Sequence, residues 1–312
     1  METFTQLILL AGRSAIELCL FILLPVMVVM LSLMRILEAR GVLDWVVERI
    51  APLLRPVGLT GLGVFAALQI NFVSFAAPVA TLTMMERRGA SDRHLAATLA
   101  MVMAMAQANA TFPMTALGLQ FGFTLALSLI GGLIAAAVTY HGFGRTLSSA
   151  EGALDEHLPH AVADSAKSTL AVSNRAATEA FNISVGAIPM IVLALTGVMA
   201  LRELGAIDVL STLLSPLLSL LGIDPALIPL TLTKYIAGGT AMVGVMDEML
   251  KSGLTSVATL NASAGFLTHP LDVGGLAILI SAGPRVAQVW KPATLGALVG
   301  IAARTLGHAI GA

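Results

Sequence analysis

Three ionisable side chains stand inside long apolar runs: Lys234, His269 and Asp272. The last two belong to Thr268-His269-Pro270-Leu271-Asp272-Val273-Gly274-Gly275, within an apolar run from about Leu254 to Ala282. That run is long enough to cross a bilayer. An acid at such depth is expensive, and Pro270 with Gly274-Gly275 works against a regular helix. Two compatible readings follow: a kinked helix whose Asp272 pairs with a lysine, or a polar site at membrane depth. Lys234 either neutralises Asp272 or meets an anionic solute. His269 is either a proton-coupling group or a structural histidine.

Neutral polar residues gather at the same kind of interruption. Gln69, Asn71 and Ser74 precede Pro78 in the apolar stretch 59–85, and Gln107, Asn109 and Thr111 precede Pro113 in 95–118. In the second half, Gly238, Gly239 and Thr240 follow Lys234-Tyr235, while Asn261 and Ser263 precede Thr268, His269 and Asp272. Singly, such residues in a membrane more often join helices than bind ligands. Clustering at breaks is what makes them binding candidates. Half-helix N-termini offer N–H groups to anions, and freed carbonyls offer ligands to cations. Gly238-Gly239 suits either close helix approach or an anion-binding nest. Glu86, Asp247 and Glu248 read as interfacial or capping residues. No His-Glu-x-x-His, Gly-x-Ser-x-Gly, Walker loop or Gly-x-Gly-x-x-Gly occurs, so no enzyme is expected. Asn261-Ala262-Ser263-Ala264-Gly265 mimics a serine-nucleophile motif, but no partner pattern supports it.

Composition sets the class. Of 312 residues, 57% are hydrophobic and 11% charged, with mean hydropathy +0.91. A soluble domain carries about 25% charged residues, so the chain reads as an all-α polytopic membrane protein. The single cysteine, Cys19, excludes an intramolecular disulfide and a thiolate metal cluster. The first apolar run lacks a basic lead and a cleavage site and reads as retained.

The elements that must position these residues follow in order. Residues 3–12 read as an interfacial lead-in and Leu18–Leu37 as a span, kinked or shifted at Pro25. Gly41–Val57 carries Asp44, Trp45, Glu48, Arg49 and Arg55 at helical spacing and suits a helix lying in the interface. Residues 59–85 form a broken helix or a re-entrant hairpin. A broken span (95–118) and a further span (121–140) complete the unit. Residues 142–178, with Glu151, Asp155, Glu156 and Asp164, read as a polar linker between a first repeat (1–141) and a second (179–312).

The repeat rests on an ordered series of matches. A shift of 164 sets Pro25 on Pro189, Gly41 on Gly205, Asp44 on Asp208, Pro52-Leu53-Leu54 on Pro216-Leu217-Leu218, Gly58 on Gly222 and Gly89 on Gly253. A further shift of 157 sets Thr111, Pro113 and Gly118 on Thr268, Pro270 and Gly275. If 59–85 is a hairpin, Arg35, Arg40, Arg49, Arg55, Arg87, Arg88 and Arg93 share one side, which the positive-inside tendency favours. Three crossings per repeat then make the second repeat inverted. Arg145, Lys167, Arg175, Arg285 and Lys291 join the cytoplasmic side, while Arg13, Arg202, Lys251 and Arg304 fall at or near the outer face. The expected architecture is six spanning helices, two interfacial helices and two re-entrant hairpins, with both termini outside and the linker cytoplasmic. Paired interruptions in inverted halves point to a site at the repeat interface.

An interfacial helix, a hairpin with Leu68-Gln69-Ile70-Asn71-Phe72 and a broken helix with Asn109-Ala110-Thr111-Phe112-Pro113 resemble the nucleoside-recognition, or Gate, domain. Lys234–Gly244 followed by Asn261–Pro270 resembles a second copy. Such domains occur in spore maturation proteins A and B, in bacterial ferrous iron transporters and, distantly, in concentrative nucleoside transporters. A two-copy chain looks like a fusion of the paired spore maturation type. The resemblance implies that hairpin tips and adjacent unwound helices hold solute and ion, a role that falls on Asn71, Ser74, Asn109 and Thr111, then on Lys234–Thr240 and Asn261–Asp272. The expected function is secondary transport of a small polar solute, neutral or anionic, gated by the hairpins. The alternative is a non-transporting membrane subunit or scaffold of a partner complex. No cofactor is implied beyond a coupling ion, Na+ or H+. The expected partners are a small-molecule solute and the lipid bilayer of the cell inner membrane, without nucleic acid, and a homo-oligomer is compatible with the sequence.

Overall fold

A computed structural model describes residues 2–150, 168–206, 209, 212, 213 and 227–311. The described residues are helical almost throughout and contain no strand. Among the described residues, five helical segments are long and apolar enough to cross a membrane: Phe4–Ala39, Asp92–Ala116, Phe121–Phe143, Thr169–Glu203 and Trp290–Gly311. Large side chains such as Phe21, Leu193 and Ile310 face outward, as lipid contact requires.

α1 (Glu2–Glu17), a π-helical stretch (Leu18–Leu23) and α2 (Leu24–Ala39) run as one rod. The π stretch lies just before Pro25, whose ring crowds the preceding turn and cannot donate a hydrogen bond; a wider turn relieves both problems. Residues 3–12 therefore begin the rod and are not a separate interfacial lead-in. α3 (Val42–Leu54) buries Leu43 and Val47 and exposes Trp45 and Leu53, the two-faced pattern expected of an in-plane helix. A 107° bend separates α3 and its 3-10 extension from α4 (Gly61–Phe72).

α4 and α5 (Pro78–Arg87) fold back on each other. Thr81 Oγ1 donates to Gln69 Oε1 at 2.7 Å, although twelve residues of straight helix would hold them about 18 Å apart. α6 (Asp92–Ala104) and α7 (Ala108–Ala116) form one broken span, buried from His94 to Met114. α8 (Phe121–Val138) runs back into a π turn (Thr139–Phe143).

α9 spans Thr169–Glu203, so residues 169–178, the end of the expected linker, are helical. The second hairpin is α10 (Ile228–Ala237) and α11 (Gly239–Lys251), turned on the single residue Gly238 at φ 90°, ψ 172°. Only glycine adopts that conformation readily. α12 (Val257–Leu267) and α13 (Val273–Ile280) form the second broken span, followed by α14 (Pro284–Gln288) and α15 (Trp290–Gly311). Asp208, Pro216-Leu217-Leu218, Gly222 and the expected second interfacial helix around them lie outside the described residues. So do Glu151, Asp155, Glu156, Asp164 and Lys167 of the linker.

The element order recurs at one nearly constant offset. α2 ends at Ala39 and α9 at Glu203, 164 residues on. Gly41 and Gly205 have φ of 71° and 68°, and Gly89 and Gly253 have 76° and 71°, at the same offset. Ser91 and Ser256 cap α6 and α12 through their hydroxyls, and Gln107 and Asp272 precede α7 and α13, both pairs 165 apart. The shift of 157 is therefore incorrect. Thr111 and Pro113 lie inside α7, whereas Thr268 and Pro270 lie in the break itself. Gly118 is left-handed (φ 108°) while Gly275 is helical.

Candidate functional site

The two broken spans meet at their breaks. Gln107 N donates to the Thr268 carbonyl at 2.9 Å, and Gln107 Nε2 to the His269 carbonyl at 3.3 Å. A hydrogen-bond chain ties the first hairpin to the same place. Ser128 Oγ accepts from Ala106 N at 2.7 Å and donates to Asn71 Oδ1 at 2.7 Å. Asn109 Oδ1 accepts from Phe75 N in the hairpin turn at 3.0 Å. Of the N–H groups released by breaking α6–α7, that of Ala106 is thus paired with a buried side chain and that of Gln107 with a backbone carbonyl, as a low-dielectric setting demands.

The second hairpin is held by charge. Lys234 Nζ, with no exposed surface, bonds Asp272 Oδ2, and Asp272 Oδ1 accepts from Gly275 N at 2.7 Å to cap α13. Lys234 is thus paired with Asp272. His269 Nδ1 accepts from Leu271 N at 3.1 Å. A neutral ring with an accepting Nδ1 carries its proton on Nε2, 3.4 Å from the Tyr235 hydroxyl. The ring is fully buried.

A cavity of about 440 Å³ opens between the hairpin tips, the breaks and α9. Gln107, Asn109, Gly238, Gly239, Thr240 and Asp272 line it, together with Phe75, Asn182, Gly274 and Gly275. Three helices begin there: α7 after Gln107, α11 after Gly238 and α13 after Asp272. No side chain caps the first two. Apart from Ala110 N, which donates to the Gln107 carbonyl at 3.1 Å, their first-turn N–H groups lack intrahelical partners and present positive dipole ends to the cavity.

The other candidates stand behind this wall. Gln69 bonds across the hairpin, Asn71 reaches Ser128, and Lys234 backs Asp272. Ser74 accepts from Ala77 N, and Thr111, Ser263 and Thr268 donate to carbonyls of their own helices. Asn261 sits elsewhere: it accepts from Gln120 N at 2.8 Å and donates to the Gly118 carbonyl at 3.0 Å, pinning the α7–α8 turn. Asn261→Ala leaves both backbone groups unpaired and is expected to cost about 1–3 kcal/mol, read as a lower thermal midpoint in detergent.

Three participants escaped the sequence reading. Asn182 was lost in the apolar length of α9, and Ser128 in that of α8. Arg304, counted at the outer face, is 1% exposed and buried against both breaks. Its Nη1 donates to the Ala104 carbonyl and its Nη2 to Thr268 Oγ1 at 2.7 Å. Its nearness to the C-terminus suggested an interfacial place, but its position on the helix face shared with Gly300 and Ala297 marks a buried one.

Residues 20–124 match the Gate family, described as nucleoside recognition. No curated protein matches the chain in sequence. Among solved structures, CNTnw in an inward-facing substrate-bound state is 18% identical with a TM-score of 0.69, over 99% of this chain and 83% of that one. A substituted CNTnw in an outward-facing state is 17% identical with a TM-score of 0.67, over the same shares. An intermediate state of CNTnw is 16% identical with a TM-score of 0.69, over 92% and 75%. The chain is therefore a multi-pass membrane protein that matches the nucleoside-recognition model over residues 20–124 and shares its fold with CNTnw.

Proposed function

We propose that the chain is a secondary transporter of a small polar solute rich in hydrogen-bond acceptors, driven by a Na+ or H+ gradient. The observation that carries this reading is the convergence of three half-helix N-termini on one cavity. Its volume of about 440 Å³ falls in the range that holds small ligands. Lys234 is spent on Asp272. The positive end of the site is thus made of backbone N–H groups, which suit hydroxyl, carbonyl or carboxylate oxygens alike. In this reading Gln107, Asn109, Gly238, Gly239, Thr240 and Asp272 touch the solute. Gln69, Asn71, Ser74, Thr111, Lys234, Thr268 and His269 hold them in place, with Asn261 and Ser263 further out.

The two repeats, 1–141 and 179–312 with the linker 142–178 cytoplasmic and both termini outside, take inverted orientations and move against each other with the hairpins as gates. A solute of nucleoside size is the first to test, since the matched domain is one of nucleoside recognition. The experiment is uptake into proteoliposomes across a panel of nucleosides and other small polar solutes, under a Na+ or a H+ gradient. Gly239→Ala supplies a site-specific arm, because a Cβ there would lie 2.1 Å from Gln107 Nε2, the end of a side chain that can yield by giving up its 3.3 Å bond to the His269 carbonyl. Uptake is expected to fall about tenfold or more, the size of a lost hydrogen bond with displaced geometry, with the thermal midpoint nearly unchanged. Unaltered uptake in Gly239→Ala would remove the cavity from the pathway. A stoichiometric protein partner combined with no uptake would favour the scaffold alternative.

A further inference from the structure

We infer that Arg304 is a resident cation: its guanidinium fills the gap between the C-terminal ends of α6 and α12, where a mobile cation would otherwise be drawn, and fixes the spacing of the two breaks. The inference deepens the transport reading, because Gln107 and Asp272 follow those ends by three and five residues and open α7 and α13 at the cavity.

The charge of Arg304 has no carboxylate to meet it among the described residues. It meets instead the negative end of α6, through the Ala104 carbonyl, and the hydroxyl of Thr268, the C-cap residue of α12. Carbonyls released at a helix break are the groups that coordinate cations in membranes, and here the guanidinium takes one of them together with a hydroxyl, in fixed directions. The surroundings are built around that side chain. A Cβ on Gly131 would lie 2.2 Å from Arg304 Cγ, and one on Gly265 would lie 2.6 Å from the Thr305 backbone. The two buried cations of the second half thus divide the work: Lys234 balances a carboxylate and Arg304 balances backbone dipoles. As a positioning residue, Arg304 acts on the cavity only through the two breaks.

The test uses the purified full chain in detergent, with thermal unfolding followed in low-millimolar guanidinium chloride and in NaCl at equal ionic strength. Arg304→Ala is expected to lower the midpoint by about 5–10 °C, and guanidinium, unlike NaCl, restores most of the loss. Arg304→Met fills the gap without a charge, so its midpoint stays low and does not respond; the wild type does not respond either. Should Arg304→Ala fail to fold, Arg304→Lys carries the comparison: it is expected to stay above Arg304→Met. Equal responses of Arg304→Ala to the two salts, or an Arg304→Met midpoint at or above that of the wild type or of Arg304→Lys, would overturn the inference. None of these readouts needs a transported solute, so failure of the transport reading appears separately, as absent uptake with the stability pattern intact.

Discussion

Asp272→Asn is expected to destabilise the protein by about 3–5 kcal/mol, because it strands the Lys234 ammonium in a place with no exposed surface. Lys234→Met should cost less, about 1–2 kcal/mol, because the Asp272 carboxylate faces the cavity and can regain water. The asymmetry is the informative part. An exposed ion pair would give small and similar losses from either side. The double variant Lys234→Met/Asp272→Asn leaves no unpaired charge and is expected to recover most of the stability, since the asparagine oxygen can still cap α13. Thermal unfolding of the four proteins in detergent closes the cycle. If Lys234→Met proves the more damaging single change, the carboxylate does not face water as described. Uptake should remain low in the double variant even as stability returns, because Asp272 belongs to the cavity wall.

Gly275→Ala is the second large effect, and Gly274→Ala is its control. A Cβ on Gly275 would sit 2.0 Å from the Pro270 carbonyl oxygen and 3.2 Å from Asp272 Oδ1. The first of these is backbone, so the break itself must move, and a loss of about 3 kcal/mol or more is expected. A Cβ on Gly274 meets Asp272 Oδ1 at 3.7 Å, an ordinary contact. There alanine gains helix propensity of up to about 1 kcal/mol, and the midpoint should hold or rise. Comparable losses from both substitutions would contradict the close packing of Pro270 over the start of α13.

The contrast between those two glycines shows where the sequence stops being legible. Pro270, Asp272 and the glycine pair announce a broken helix, and Lys234 announces a partner for the acid. Both follow from the cost of charge and irregular backbone in an apolar run. Which glycine bears the close contact depends on how the break folds, and no local pattern carries that. Arg304 fails for a related reason. A long basic side chain near a span end usually snorkels to the interface, and only the glycine at position 131 of another helix leaves room for it inside.

The offset of 157 failed differently. In so apolar a chain, Thr111-Phe112-Pro113 and Thr268-His269-Pro270 coincide cheaply. The serines that cap α6 and α12 held the true register of 165, and an N-cap serine is a physical start signal where a Thr-x-Pro pair is not. The hairpins were legible as alternatives and needed the Thr81–Gln69 contact to settle the fold-back.

The central claim is that solute passes through the cavity where the hairpin tips and the two breaks meet. Cys19 is the only cysteine and is buried, so Thr240→Cys in a Cys19→Ala background places one reactive thiol on the cavity wall. Labelling with a membrane-impermeant thiol reagent is measured in right-side-out and inside-out vesicles, with and without each solute that supports uptake. The account predicts labelling from both faces and slower labelling when a transported solute is present. Labelling from one face only, at a rate that no solute changes, would contradict it.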